Sequence, residues 1–253
     1  MLTLTDDWEF NVLGIYNYKV SGPFDALFNF IRNHHADIEG DIVECGVYRG
    51  KSLIALAMLL KELGSDKKIY GYDSFSGFPS VYHHNDDLAR FDDLQKKGRI
   101  TPDHFQAVQR NLSWREQLSD QGQTAKTISS SGDFSATSLE YVQRKIKIVG
   151  LDNIVLRDGP FDETMKNVDN NPTKIMAALM DCDLYQSYMD CFEFIWPRLS
   201  DSGIIYLDEY YSLKFPGARI ATDEFIAGKE ASLMQYPQKQ GDFERWYLQK
   251  DKA

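Results

Sequence analysis

Two hydrophobic periods alternate along the chain. A short apolar run ends at Ile42 and Val43, and Leu53, Ile54, Leu56, Ala57, Leu59, Leu60 and Leu63 then follow at helical spacing. The first reads as the end of a buried strand, the second as a helix with a broad apolar face. Residues 68–73 and 153–158 read as further short strands, 174–180 as a continuous apolar strand, and 203–207 as a fifth. Continuous apolar runs suit parallel strands covered on both faces. Helical faces lie between them: Leu139, Val142, Ile146 and Val149, closed by Gly150, and Leu184, Tyr188, Phe192, Ile195 and Leu199, with Pro197 near the end. Ahead of the first strand, Phe24, Leu27, Phe28 and Ile31 make residues 1–40 a helical lead-in, with His34 and His35 as a solvated helix end. Strands alternating with helices predict an α/β, doubly wound, mostly parallel sheet. Aromatic residues in 243–248, behind Gly241, predict a closing antiparallel hairpin.

Residues 80–138 break this pattern. They are polar and charged, with short helices predicted at 86–97 and 103–112, Gly98 and Pro102 between them, and a loop at 122–132. Such an insertion acts either as a lid over a site or as a surface excursion. His83 and His84 stand at its start, within reach of a substrate in the first case.

Length and composition narrow the classes. With 253 residues and 43% hydrophobic content, one domain spanning 1–253, with lead-in and insertion, is the expected organisation. A net charge of −10 without a run of Lys and Arg argues against nucleic acid as the main partner. No secretory segment and no membrane-spanning apolar run is evident, which predicts a cytoplasmic protein with no membrane partner. The three cysteines, Cys45, Cys182 and Cys191, have neither C-x-x-C nor zinc-ligand spacing, and Cys45 and Cys182 read as small core residues.

Candidate chemistry begins in the connection after the first strand, where Glu44, Gly46 and Gly50 are packed together. In open α/β sheets a nucleotide-like ligand lies at this turn, and the following helix offers free N–H groups to an anion. A dinucleotide site would place a glycine where Glu44 stands, so an acid points at the diphosphate position. That disfavours NAD and favours S-adenosylmethionine, which carries both an ammonium and a carboxylate. A tight turn with no ligand is the bland alternative. Asp73 ends the second strand, where a carboxylate commonly takes ribose hydroxyls.

Further acids end later strands: Asp181 and Asp183 the fourth, Asp208 and Glu209 the fifth. With Glu44 and Asp73 they are predicted to line one crevice, where crowded carboxylates need a cationic partner. Mg2+ suits an all-oxygen set, and the lack of Cys or His in it disfavours zinc. Asp183 also reads as a possible cap for the helix that follows.

At these residues the chain resembles the macrocin O-methyltransferase family, metal-dependent class I methyltransferases acting on sugar hydroxyls. The resemblance rests on Glu44-Cys-Gly-Val-Tyr-Arg-Gly-Lys-Ser52, Asp73-Ser-Phe-Ser-Gly-Phe-Pro79, Gly159-Pro-Phe-Asp-Glu-Thr164, Asp181-Cys-Asp-Leu-Tyr-Gln-Ser187 and Leu207-Asp-Glu-Tyr210, across 41–223. It implies a seven-stranded Rossmann-like sheet and a sugar-like small-molecule acceptor. It implies S-adenosylmethionine along Glu44, Gly46, Tyr48, Ser52, Asp73 and Ser74, with Asp158 and Gly159 near the adenine. It implies Mg2+ on Asp181, Asp208 and Glu209, and Asp183 as general base. The family usually has Asp-Asp where this chain has Asp208-Glu209, one methylene longer. A catechol or phenol acceptor, and a non-catalytic S-adenosylmethionine-binding regulator, are the alternatives. The apolar lead-in could support a homo-oligomer.

Overall fold

The computed structural model describes residues 1–119, 122–237 and 242–250. Among the described residues, seven strands form one sheet: β1 (Asp41–Cys45), β2 (Ile69–Asp73), β3 (Ile154–Asp158), β4 (Ile175–Met180), β5 (Leu199–Leu207), β6 (Ala231–Tyr236) and β7 (Arg245–Lys250). Their order is β3-β2-β1-β4-β5-β7-β6. β1 to β5 run parallel, and β7 is antiparallel to both β5 and β6. The helices are α1 (Asp7–Leu13), α2 (Asp25–His34), α3 (Lys51–Glu62), α4 (Arg90–Lys96), α5 (Pro102–Leu118), α6 (Leu139–Val149), α7 (Phe161–Thr164), α8 (Tyr185–Ile195) and α9 (Pro216–Ile226).

The two-residue period of each strand assigns its side chains to opposite faces. Ile42, Ala177 and Leu179 enter the core shared with α2, α3 and α6, whereas Val43, Ala178 and Met180 enter the core shared with α8 and α9. Helix α3 is buried continuously from Ser52 to Leu60. A helix apolar on all sides needs cover on all sides, and the lead-in supplies it: Phe10, Phe24, Leu27 and Ile31 join the same core. The Tyr16 amide donates to the Lys51 carbonyl (3.1 Å), bringing the lead-in to the start of α3. Lys145 of α6 ties the same junction, donating to the carbonyls of Gly14 (2.8 Å) and Arg49 (2.7 Å).

Several elements differ from the sequence expectation. The helix expected at 86–97 divides into a 3-10 turn, His84–Asp86, and α4. Helix α5 extends past residue 112 to Leu118, capped by Thr101, whose Oγ1 accepts from the His104 amide (3.1 Å). Only His104 and Val108 along it are buried, so little apolar periodicity marked its length. Phe91, Leu94, Ile100 and Val108 give the insertion a small core of its own, packed against Leu213 and Ile220. Strand β5 starts at Leu199, which the periodicity had placed on a helix; the 3-10 turn Trp196–Arg198, containing Pro197, ends α8 before it. Strand β6 is half-exposed and lacks the alternation that would have announced it. Gly241, read as the hairpin's glycine, lies outside the described residues. All three cysteines are buried free thiols. No helix among the described residues is long and apolar enough to cross a membrane.

Candidate active site

The carboxyl ends of β1, β2 and β4 open into a cavity of about 930 Å³, within the size range of small-molecule sites. Gly46, Tyr48, Ser52, Asp73, Ser74 and Gly159 line it, together with Asp181 and Asp183. Six of the eight residues expected at a cofactor therefore share one wall. The other two do not. Asp158 is exposed and lines a separate cleft with Arg157, Glu163 and Asn170. Glu44 is fully buried behind Ser52, whose Oγ donates to its Oε1 (2.7 Å).

The glycine-rich turn is organised by Asp73. Its Oδ2 accepts from the amides of Val47 (2.8 Å) and Tyr48 (2.7 Å), and Oδ1 from Phe75 (2.6 Å). These bonds hold Tyr48 and Phe75 at positive φ, 48° for each, a region that non-glycine residues enter only when their surroundings enforce it. Gly46 has φ 89°, and a Cβ there would fall 1.8 Å from the Asp181 carbonyl oxygen. The sequence suggested that this glycine admits a ligand. The contact it admits is β4's end, which brings Asp181 beside the cofactor turn.

Asp181, Asp208 and Glu209 form the acidic centre: one carboxylate oxygen from each lies within 4.8 Å of the others. Glu209 is buried, and its Oε2 accepts from the Tyr188 hydroxyl (2.6 Å). Tyr188 was legible only as part of a helix face; the signal in it is a phenol on an apolar stripe, which needs a partner. Burial and the neighbouring acids raise the Asp181 pKa well above the usual carboxylate range, with Asp208 and Asp183 the strongest neighbours. Burial raises Glu209 likewise, and repulsion from Asp183, Asp208 and Asp181 adds to the rise. Three crowded oxygens with an anchored member fit a hard divalent cation, whose charge would remove the repulsion that now favours protonation.

Asp183 follows at φ 62°, buried yet on the cavity wall. Burial raises its pKa to about 7; Lys214 opposes the rise and Asp208 adds to it. It does not cap α8: that helix begins after Leu184 with no capping side chain of its own. The alternative reading of Asp183 as a helix cap is thus not met, and the residue is left on the cavity wall.

Two further groups at the site left no clear sequence signal. Tyr16, from the lead-in, lines the cavity with Lys51, whose ammonium sits 4.2 Å from its ring centre. An aromatic wall runs from the cofactor turn into the insertion: Phe134 meets Tyr48 edge-on at 5.3 Å and Phe78 at 5.0 Å. The Arg49 Nε donates to Ala136 O (2.8 Å) and the Thr137 hydroxyl to Tyr48 O (2.6 Å). The insertion therefore closes one side of the cavity.

Strand order, antiparallel closing hairpin and a cavity at the strand ends together define the class I methyltransferase fold. A family model described as a methyltransferase domain matches residues 43–210, and the chain belongs to that family. It is 30% identical to the mycinamicin III 3''-O-methyltransferase of Micromonospora griseorubida over 192 residues, covering 74% of this chain and 61% of that protein. It is 28% identical to a rhamnosyl-tetracenomycin 4'-O-methyltransferase of Streptomyces olivaceus over 177 residues, 68% of this chain and 54% of that protein. The chain thus spans less than two thirds of these relatives' lengths. Among solved structures, the O-methyltransferase NovP aligns with a TM-score of 0.62 at 21% identity, over 89% of this chain and 80% of that one. These relatives are of the kind that the motif resemblance implied.

Proposed function

We propose that the chain is an S-adenosylmethionine- and Mg2+-dependent O-methyltransferase acting on a hydroxyl of a sugar or glycosylated natural product. The observation that carries this reading is the acidic trio Asp181, Asp208 and Glu209, whose Asp181 lines, with Asp183, the cavity that the glycine-rich turn borders, while Asp208 and Glu209 stand behind that wall. A pure binder has no need of such repulsive charge. S-adenosylmethionine supplies an electrophilic methyl, and a divalent cation supplies Lewis acidity toward a hydroxyl.

The chain's own residues divide the remaining work. Lys51, Ser52 and the amino terminus of α3 suit the carboxylate of a methionyl group. Asp73 uses three of its roughly four acceptor positions on loop amides, leaving one for a ribose hydroxyl. Gly159, Pro160 and Phe161 border the adenine side of the cavity. Asp181, Asp208 and Glu209 are the ligands proposed for Mg2+, with Tyr188 fixing the third. Asp183 takes the proton of the acceptor hydroxyl as its oxygen attacks the methyl carbon and the carbon–sulfur bond breaks. Its place on the cavity wall beside the proposed ligand Asp181 suits that task. The aromatic wall of Tyr48, Phe78 and Phe134 favours an acceptor with an apolar portion, and keeps a catechol or phenol as the rival acceptor.

Calorimetric titration with S-adenosylhomocysteine tests the cofactor; saturable one-to-one binding is expected, and none in folded protein removes the reading. Methyl transfer from labelled S-adenosylmethionine to mycinamicin III, rhamnosyl-tetracenomycin and catechol, with and without EDTA, tests the rest. Turnover of a glycoside that stops with EDTA supports the proposal. Catechol turnover alone moves the acceptor class, and EDTA-insensitive turnover removes the metal.

A further inference from the structure

The insertion sends one carboxylate deep into the fold. Asp86, at the end of the 3-10 turn His84–Asp86, is only 4% exposed. Its Oδ1 accepts from the amide of Tyr185 (2.8 Å), the first residue of α8. Neither α8 nor α9 has a capping side chain at its own amino terminus. Asp86 reaches both. A Cβ added to Gly217, in the first turn of α9, would fall 2.0 Å from Asp86 Oδ1 and 2.9 Å from the Tyr185 side chain. The wedge is reinforced from the same stretch: His83 stacks on the Tyr185 ring at 4.2 Å and 14°, and the Tyr185 hydroxyl donates to Glu224 Oε2 on α9 (2.6 Å).

This junction abuts the reacting edge of the site. Asp183 lies two residues before Tyr185, in a left-handed conformation that places the turn directly against the start of α8. Helix amino termini hold unsatisfied N–H groups, and a carboxylate there meets both a hydrogen-bond donor and the favourable end of the helix dipole. The cap on α8 therefore comes from the insertion, about a hundred residues away in sequence, and it fixes the chain immediately after the proposed base.

The geometry points to Asp86 as a positioning residue for methyl transfer: by capping α8 from the insertion, it sets the Asp183 turn and joins insertion placement to base placement. This rests on Asp183 being the base. It gives the histidine pair a role as well, His83 serving as the flat surface against which Tyr185 is held.

Hydrogen exchange on the full chain, as wild type, Asp86→Ala and Asp86→Asn, tests it without an acceptor. In Asp86→Ala, amides from 184 to 188 should exchange on the order of 10-fold faster, with β1 and β4 unchanged, because opening is local. Asp86→Asn should exchange there no faster than the wild type, since its amide oxygen accepts the same bond. With the fastest-reacting acceptor, Asp86→Ala should lower kcat roughly 10- to 100-fold through misplacement of the base, leaving KM for S-adenosylmethionine unchanged. Unaltered exchange at 184–188, faster exchange spread evenly over the sheet, or failure of Asp86→Asn to restore either readout would overturn the assignment. Absence of S-adenosylhomocysteine binding by the wild type, with the local exchange effect intact, would instead fail the methyltransferase reading and leave the coupling of Asp86 to this turn standing.

Discussion

The two halves of the candidate site are built by different means. On the β1–β2 side, the turn is held by a carboxylate on backbone amides: Asp73 meets Val47, Tyr48 and Phe75, and Ser52 meets Glu44. On the β4–β5 side, acids face one another, and their support comes from distant elements: Tyr188 for Glu209, Asp86 for the turn after Asp183. The first half is preorganised by bonds already made. The second holds its acids close to one another in mutual repulsion. Ligand recognition can rest on the former, whereas proton transfer needs groups whose charge state is poised, which burial among like charges provides.

Changes in the β4–β5 half should affect turnover and spare cofactor binding, and changes in the β1–β2 half should do the reverse. The largest effect is expected at Asp183. Asp183→Asn should cut turnover by about 10²- to 10⁴-fold while calorimetry returns wild-type S-adenosylhomocysteine affinity; near-normal turnover would assign the proton to another group.

Next comes stability at the seam between insertion and base. Burial raises the Asp86 pKa to about 6, against an ordinary 3.8. A raised carboxyl pKa favours the fold while the group is protonated, and that contribution is lost as pH rises from about 4 through 6, by at most ~3 kcal/mol. Asp86→Asn keeps the neutral form throughout, so its melting temperature relative to wild type should climb over that window. A constant difference between the two would show that Asp86 does not titrate there.

Tyr188→Phe removes the donor to Glu209. Loss of such an outer partner typically costs 10- to 100-fold in metal affinity or activity, so Mg2+ titration should weaken by about that factor with cofactor binding intact. An unchanged Mg2+ titration would separate Glu209 from the metal. The smallest effect belongs to the β1–β2 half. Asp73→Asn weakens charge-assisted bonds worth ~1.5–3 kcal/mol each but keeps an acceptor, so S-adenosylhomocysteine affinity should fall by about 10-fold or less. If Mg2+ binding fell equally, the two halves would not be separable.

Much of the β1–β2 half was legible because it is local. Gly46 and Tyr48 lie on one short turn, Ser52 in the first turn of α3 after it, and Asp73 ends the neighbouring strand, so period and position were enough to bring them together. The acids of the other half were legible as strand ends, but not their environment. Asp158 shows the limit: its place at a strand end matched the pattern, yet the end of β3 turns it toward a different cleft. Glu44 shows another, since its strand register puts it behind the wall it was expected to form.

The sequence alone determined the strand–helix alternation, the rim on which the acids gather and the glycine-rich turn, because these follow from residue periodicity and from the common direction of parallel strands. Only the tertiary structure decided which carboxylates come within reach of one another, that Gly46 is required by β4's end, and that α8 is capped from the insertion. Those are contacts between segments far apart in sequence, and no local pattern records the distance between them.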